Sequence, residues 1–445
     1  MASQSKAKNA RRAAIGSFVG TTVEYYDFFI YGTASALIFA PQFFPEFSPA
    51  AGVLASFAVF GVGFIARPLG AIVMGHFGDK VGRRSMLVLS MIMVGLGTFL
   101  IGFLPNYAAI GIWAPIALVI LRLIQGFGVG GEWSAATLTA VEHAPKQREA
   151  LWAAIPQMGV SIGLVLANAV FILASASGVF SEWLWRVPFL LSGVLIFVGL
   201  YIRLGLDETP AFVAIGDAKR RAPLIDVIKE HPRSILIAAG LPVASIMLTY
   251  VHSTFGLSYM TGVLGASSFN ALLAVMFGSL INAAVLPVVG LICDQTKRPA
   301  TVFLCGSAVL AVGIIVYFPL LNSGVVPLFF CATGLLNIGI GTMFGTSSLL
   351  ITQLFPAEVR FSGSAVGYQI ATLVGGGPAP FVAAAIWVGT ASWLGIAGYM
   401  FAALIVSALA GVFLQRRLIR RTRTQGACTV LSPGPGSIAT ETSLS

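Results

Sequence analysis

Charge is what this chain has least of: Asp, Glu, Lys and Arg make up 9% of its 445 residues, against 57% apolar residues and a mean hydropathy of +0.91. A domain wetted on all sides carries about a quarter of its residues charged, so this composition excludes a soluble globular fold and describes a chain solvated by lipid. Cysteine is equally scarce. Cys293, Cys305, Cys331 and Cys428 fall in apolar runs or in the C-terminal tail, without the spacing of a metal site or a disulfide framework. No nucleophile stands beside a base and no phosphate loop follows a strand, so an enzyme reading has nothing to rest on, and neither cofactor nor metal is expected. Gly126, Gly128, Gly130 and Gly131 lack the preceding strand of a dinucleotide loop and are read as close helix packing.

What the chain does have is long apolar runs. A membrane-crossing helix takes about 20 such residues, and the sequence offers twelve: near 15–40, 51–75, 86–104, 109–134, 150–176, 187–206, 234–260, 268–292, 300–321, 325–354, 360–388 and 391–415. The expected fold class is an all-α polytopic membrane protein with twelve transmembrane helices in two six-helix halves. With the amino terminus inside, 23 of the 26 Lys and Arg fall in cytosolic segments, which fixes both termini in the cytosol by the positive-inside bias. The net charge of +10 then suits anionic lipid headgroups, and no nucleic acid is needed to explain it. Four units follow: an N-terminal bundle at 1–206, a cytoplasmic linker at 207–233, a C-terminal bundle at 234–418 and a disordered tail at 419–445. Gly75 with Asp79 recurs as Gly290 with Asp294, and Pro145 with Arg148 recurs as Pro356 with Arg360, an echo expected of paired halves. Because the second copy lacks the Gly-Arg-Arg ending, any gate built on it is expected to be the weaker.

Charges stranded inside the bilayer form the functional shortlist, since each costs about 2.5 to 3.5 kcal/mol at a helix centre. They are Glu24, Asp27, Arg67, Arg122 and Glu132. Asp27 lies roughly 22 Å along the first helix from Arg12, deep in the membrane. Glu24 shares its face, as Gln125 shares that of Arg122. Asp27 and Arg122 are read as a pair whose breaking and remaking exchanges a proton, or else as a static ion pair that fixes packing. Glu132 is either a second proton site or a helix-tying partner. Arg67 stands about 12 Å from the inner end of its span and is read as reaching toward the cytosolic side. His252 is read as a core histidine held by a neighbouring hydroxyl, and Gly375, Gly376, Gly377, Pro378 and Pro380 as a mid-depth break or kink.

The loop GHFGDKVGRR at Gly75 to Arg84 resembles the signature loop of the major facilitator superfamily of secondary transporters. The strings VEYYDFFIYGTASAL (Val23 to Leu37), FIARPLGAIVMGHFGDKVGRR (Phe64 to Arg84), RLIQGFGVGGEWSAA (Arg122 to Ala136), WRVPFLLSG (Trp185 to Gly193) and LFPAEVRFSGSAVGYQ (Leu354 to Gln369) are similar to its metabolite:proton symporter family, nearest the shikimate-transporter branch. The resemblance implies import of a small organic acid or zwitterion with a proton, by alternating access, through a multi-pass protein of the bacterial inner membrane, and a monomer is expected. It implies proton exchange at Asp27 answered by Arg122, with Glu24 and Glu132 in support, and a gate of Asp79, Arg83 and Arg84 joined by Arg67, Glu142 and Arg148. For a carboxylate the candidate lining is Tyr25, Tyr26, Arg122, Gln125, Tyr250, Asn282, Asn337, Tyr368 and Gln369. A betaine or proline symporter, a drug:proton antiporter and a channel or sensor remain as alternatives.

Overall fold

The computed structural model describes residues 2–81, 83–130, 132–145, 147–175, 183–204, 224–356 and 359–431, with side chains over 14–74, 88–130, 136–145, 147–175, 183–197, 227–356 and 359–419. The described residues form helices and connecting turns, and no strand occurs among them. In chain order the helices are α1 Ala2–Leu37, α2 Phe39–Phe43, α3 Pro49–Val81, α4 Arg83–Phe103, α5 Tyr107–Ile110, α6 Trp113–Val129, α7 Glu132–Glu142, α8 Glu149–Ser175, α9 Val187–Leu204 and α10 Leu224–Glu230. There follow α11 Pro232–Gly262, α12 Ser268–Thr296, α13 Pro299–Asn322, α14 Val326–Gln353, α15 Arg360–Thr390 and α16 Trp393–Leu431.

Eight of the described helices are long and apolar enough to cross a membrane, and Val88–Phe103, Trp113–Val129 and Leu184–Phe197 are shorter apolar stretches. α10 lies inside the segment read as a linker, and α16 continues past residue 418 to Leu431. Pro68, Pro156, Pro242, Pro287 and Pro319 sit within helices. Neighbouring helices can re-satisfy the backbone groups such residues free. Starts and stops are local: the Ser267 side chain accepts from the Asn270 N–H at 3.2 Å to begin α12, and Lys297, at φ 55, ends it. The break expected near Gly375 is present: a π turn, Thr372–Gly376, runs into a bend at Gly377 and Pro378 before α15 resumes at Ala379, and a second π turn, Val251–Phe255, interrupts α11.

Two groups of helices emerge from the packing. α1, α3, α4, α6, α8 and α9 contact one another, as do α11 to α16, and the groups meet chiefly where α8 lies along α12 and α3 along α15. Glycine permits the closest approaches. A Cβ on Gly126 of α6 would run into the Gly63 carbonyl of α3, and one on Gly61 would sit 3.1 Å from the Gly377 carbonyl of α15.

Candidate functional site

The site is built where α1, α3, α6, α11 and α15 converge. Arg122, on α6, is fully buried. Its Nε donates to the Phe60 carbonyl at 3.3 Å and its Nη1 to Gln125 Oε1 at 3.2 Å, while Nη2 has no partner among the described residues. Three rings take up its charge: the guanidinium carbon is 4.2 Å from the Tyr31 centroid, 4.5 Å from Phe28 and 4.9 Å from Phe60. Stacking of this kind stabilises a desolvated cation by about 2 kcal/mol or more.

Arg67 departs from its expected place. Rather than reaching to the end of α3, its buried guanidinium stands 4.1 Å from Phe28 and 4.5 Å from Phe64, with Nε and Nη2 unpartnered among the described residues. Distance along a helix does not say which face turns inward, and here the inward face offers rings that water at the far end does not. The two arginines therefore flank one phenylalanine.

Asp27 and Arg122 make no direct ion pair. The Asp27 carboxyl lies beside the Thr98 hydroxyl of α4, and its Oδ1 has no hydrogen-bond partner among the described residues. Thr98 also donates to the Val94 carbonyl at 2.8 Å and accepts from Gln125 Nε2 at 2.7 Å. One hydroxyl and one amide thus stand between Asp27 and Arg122. Glu24, also buried, lies close enough to act electrostatically on Asp27, Tyr25 and Tyr250.

The remaining lining residues divide. Tyr25 and Tyr368 join hydroxyls at 2.9 Å across α1 and α15, and Gln369 Nε2 donates to the Gly130 carbonyl. Tyr250 packs on Phe29, Phe60 and Phe64 at 5.8, 5.6 and 5.3 Å. Tyr26 turns away from this group and donates to the Pro188 carbonyl at 2.8 Å, tying α1 to α9. Asn282 and Asn337 bond each other at 3.3 Å, with Ser161 donating to Asn282 at 3.3 Å, which ties α8, α12 and α14 together. His252 has Tyr317 as its hydroxyl neighbour, at 3.4 Å.

Of the gate residues, the side chains of Asp79, Arg83 and Arg84 lie outside the described residues, as does that of Glu132. Glu142 and Arg148 are exposed, away from the buried cluster. The second copy of the loop is the one in view: Asp294 accepts from the N–H groups of Ala150 at 2.9 Å and Leu151 at 3.0 Å, in the first turn of α8. Two charge-assisted bonds to a helix N-terminus hold α12 to α8 here. Thr98, Phe28 and Phe64 were not singled out by sequence. Only Phe28 and Phe64 carried a signal, as neighbours of Asp27 and Arg67.

Comparison with known proteins agrees with this architecture. The family model of the Major Facilitator Superfamily matches residues 17–380. The chain is 39% identical over 416 residues to the shikimate transporter of Escherichia coli (strain K12), covering 91% of this chain and 94% of that protein. It is 37% identical over 425 residues to the inner membrane metabolite transport protein YhjE of the same organism, covering 93% and 95%. A partially occluded, inward-open structure of the xylose transporter XylE from E. coli superposes with a TM-score of 0.69 at 16% identity, over 92% of this chain and 98% of that one. The chain belongs to the Major Facilitator Superfamily.

Proposed function

We propose that this member of the superfamily is a proton-coupled secondary transporter that imports a small organic carboxylate by alternating access. We further infer twelve spans in two six-helix halves, with both termini cytosolic, in a bacterial inner membrane. The packing of α1, α3, α4, α6, α8 and α9 among themselves and of α11 to α16 among themselves, with α8 lying along α12 between the groups, supports two halves, and the name of the inner-membrane relative supports the location.

The observation that carries the reading is the buried run from Asp27 to its neighbour Thr98, and by hydrogen bonds from Thr98 through Gln125 to Arg122. A hydroxyl has one hydrogen to give. While Thr98 donates to Val94 and accepts from Gln125, its contact with Asp27 is completed by a proton on the carboxyl. Ionised Asp27 would instead draw that hydrogen to itself and disturb the amide that holds Arg122. Proton loss at one end thereby changes the cation at the other, which is the differential interaction that coupling requires.

The cargo follows from the arginines. Two buried guanidinium groups, with three nitrogens left unpartnered among the described residues, favour an anion with planar oxygens. A quaternary ammonium such as betaine would want the ring faces, and those of Phe28, Phe60 and Phe64 are already held by the protein's own cations. The shikimate-transporter relative agrees in substrate class.

The test is a proton-flux measurement in proteoliposomes offered shikimate, quinate, citrate or betaine. Symport of a carboxylate predicts that the external medium turns alkaline as one of the acids enters. Entry without proton movement contradicts the coupling, and entry of betaine alone contradicts the carboxylate.

A further inference from the structure

Asp27, Tyr31 and Ser35 follow one another at four-residue intervals on α1, so they line one face of the helix at about 6 Å of rise per step. All three are buried, and each presents a polar atom with no partner among the described residues: Asp27 Oδ1, the Tyr31 hydroxyl and Ser35 Oγ. Neighbouring polar groups of the same helix are satisfied. Thr22 donates to Phe18, Tyr25 meets Tyr368, Tyr26 donates to Pro188 and Thr33 donates to Asn168. The unpartnered atoms are therefore confined to one stripe.

A buried polar group left unpaired costs about 1 to 3 kcal/mol, and Phe for Tyr31 or Ala for Ser35 would avoid that penalty at almost the same shape. Retaining hydroxyls in register above an intramembrane carboxyl suits water-bridged hydrogen bonding along the helix.

We propose that Ser35, Tyr31 and Asp27 form a proton-access route, in which the two hydroxyls and intervening water carry protons between the Leu37 end of α1 and the carboxyl. The proposal rests on the reading of Asp27 as the coupling residue. In each relay step an oxygen accepts a proton on one side and releases its own on the other. Ser35 and Tyr31 finish neutral and unchanged, and the net change is one proton gained by the Asp27 carboxylate.

The charged and polar groups facing the route suit this use. Arg122 holds its guanidinium over the Tyr31 ring at 4.2 Å, Thr98 lies beside Asp27, and Glu24 lies one turn along α1. An unmet positive charge on Arg122 opposes an incoming proton, and an anion bound to that arginine removes the opposition. Proton entry is thereby favoured once cargo is in place. At the far end Phe39 meets the Tyr31 ring edge-on at 5.0 Å and packs on Phe43 and Trp185. Trp185 Nε1, also unpartnered, can hold a water but, being a donor only, cannot relay.

The test compares Tyr31→Phe, and Tyr31→Phe with Ser35→Ala, in reconstituted full-length protein. The Phe variant keeps the ring against Arg122 and Phe39. Uptake driven by a pH gradient is expected to fall roughly tenfold or more, while substrate counterflow, which needs no net proton movement, stays within about twofold of the parent. Loss of counterflow in parallel with uptake would mark a structural role and overturn the route. Full proton-driven uptake in the double variant would also overturn it, provided Asp27→Asn abolishes that uptake. If Asp27→Asn is itself fully active, the coupling reading fails first and the route falls with it.

Discussion

Asp294 accepts a hydrogen bond from the Leu151 N–H at 3.0 Å, binding the end of α12 to the start of α8, and its second oxygen takes the Ala150 N–H at 2.9 Å. A Cβ on Gly290 would come within 2.7 Å of Leu151 Cα, so the helices touch at backbone distance just where the carboxylate caps. Helix capping by a carboxylate contributes about 1 to 2 kcal/mol. Asp294→Ala should therefore shift the ratio of closed to open molecules at this end by roughly 5- to 30-fold. Maleimide labelling of a cysteine introduced at the buried Ala154 measures it. Faster labelling is expected, and an unchanged rate would remove Asp294 from the gate.

Arg122→Lys keeps the charge and discards the geometry. A lysine cannot reproduce donation to both Phe60 and Gln125 or the planar stacking on Tyr31 and Phe28. Carboxylate affinity should drop by about 30-fold or more, in line with the 2 to 5 kcal/mol that follows from truncating one partner of a buried charged contact. Thermal stabilisation by the carboxylate checks this, and affinity equal to the parent's would place the cargo elsewhere.

Gly61 faces the Gly377 carbonyl where α3 meets α15. Leucine there must push the helices apart, because the obstructing atom is backbone and cannot rotate aside. Gly61→Leu is expected to reduce transport by at least tenfold while sparing binding, since overpacking of this kind costs about 1 to 3 kcal/mol in the closed state alone. Parallel transport and binding assays decide it, with equal losses in both counting against a closure role.

Much of this was legible in the chain. Apolar runs mark the helices because a bilayer leaves no other place for them, and Asp27 and Arg122 are conspicuous as charges in oil. Contrast is also why the rest was hidden. Thr98 is one hydroxyl among many, and nothing in its spacing says that it separates Asp27 from Arg122. Tyr25 and Tyr26 are adjacent letters whose side chains diverge by about 100° on a helix, so one meets Tyr368 and the other Pro188. Arg67 was misplaced because its distance from the helix end is visible in sequence and its facing is not. The π turn at Val251–Phe255 has no glycine or proline to announce it.

The most direct measurement is uphill uptake by Asp27→Asn in proteoliposomes under an imposed pH gradient, with counterflow recorded alongside. The account predicts that uphill uptake is lost while counterflow survives, because an amide at this position can bond Thr98 yet cannot exchange a proton. Full uphill uptake by the variant would contradict it.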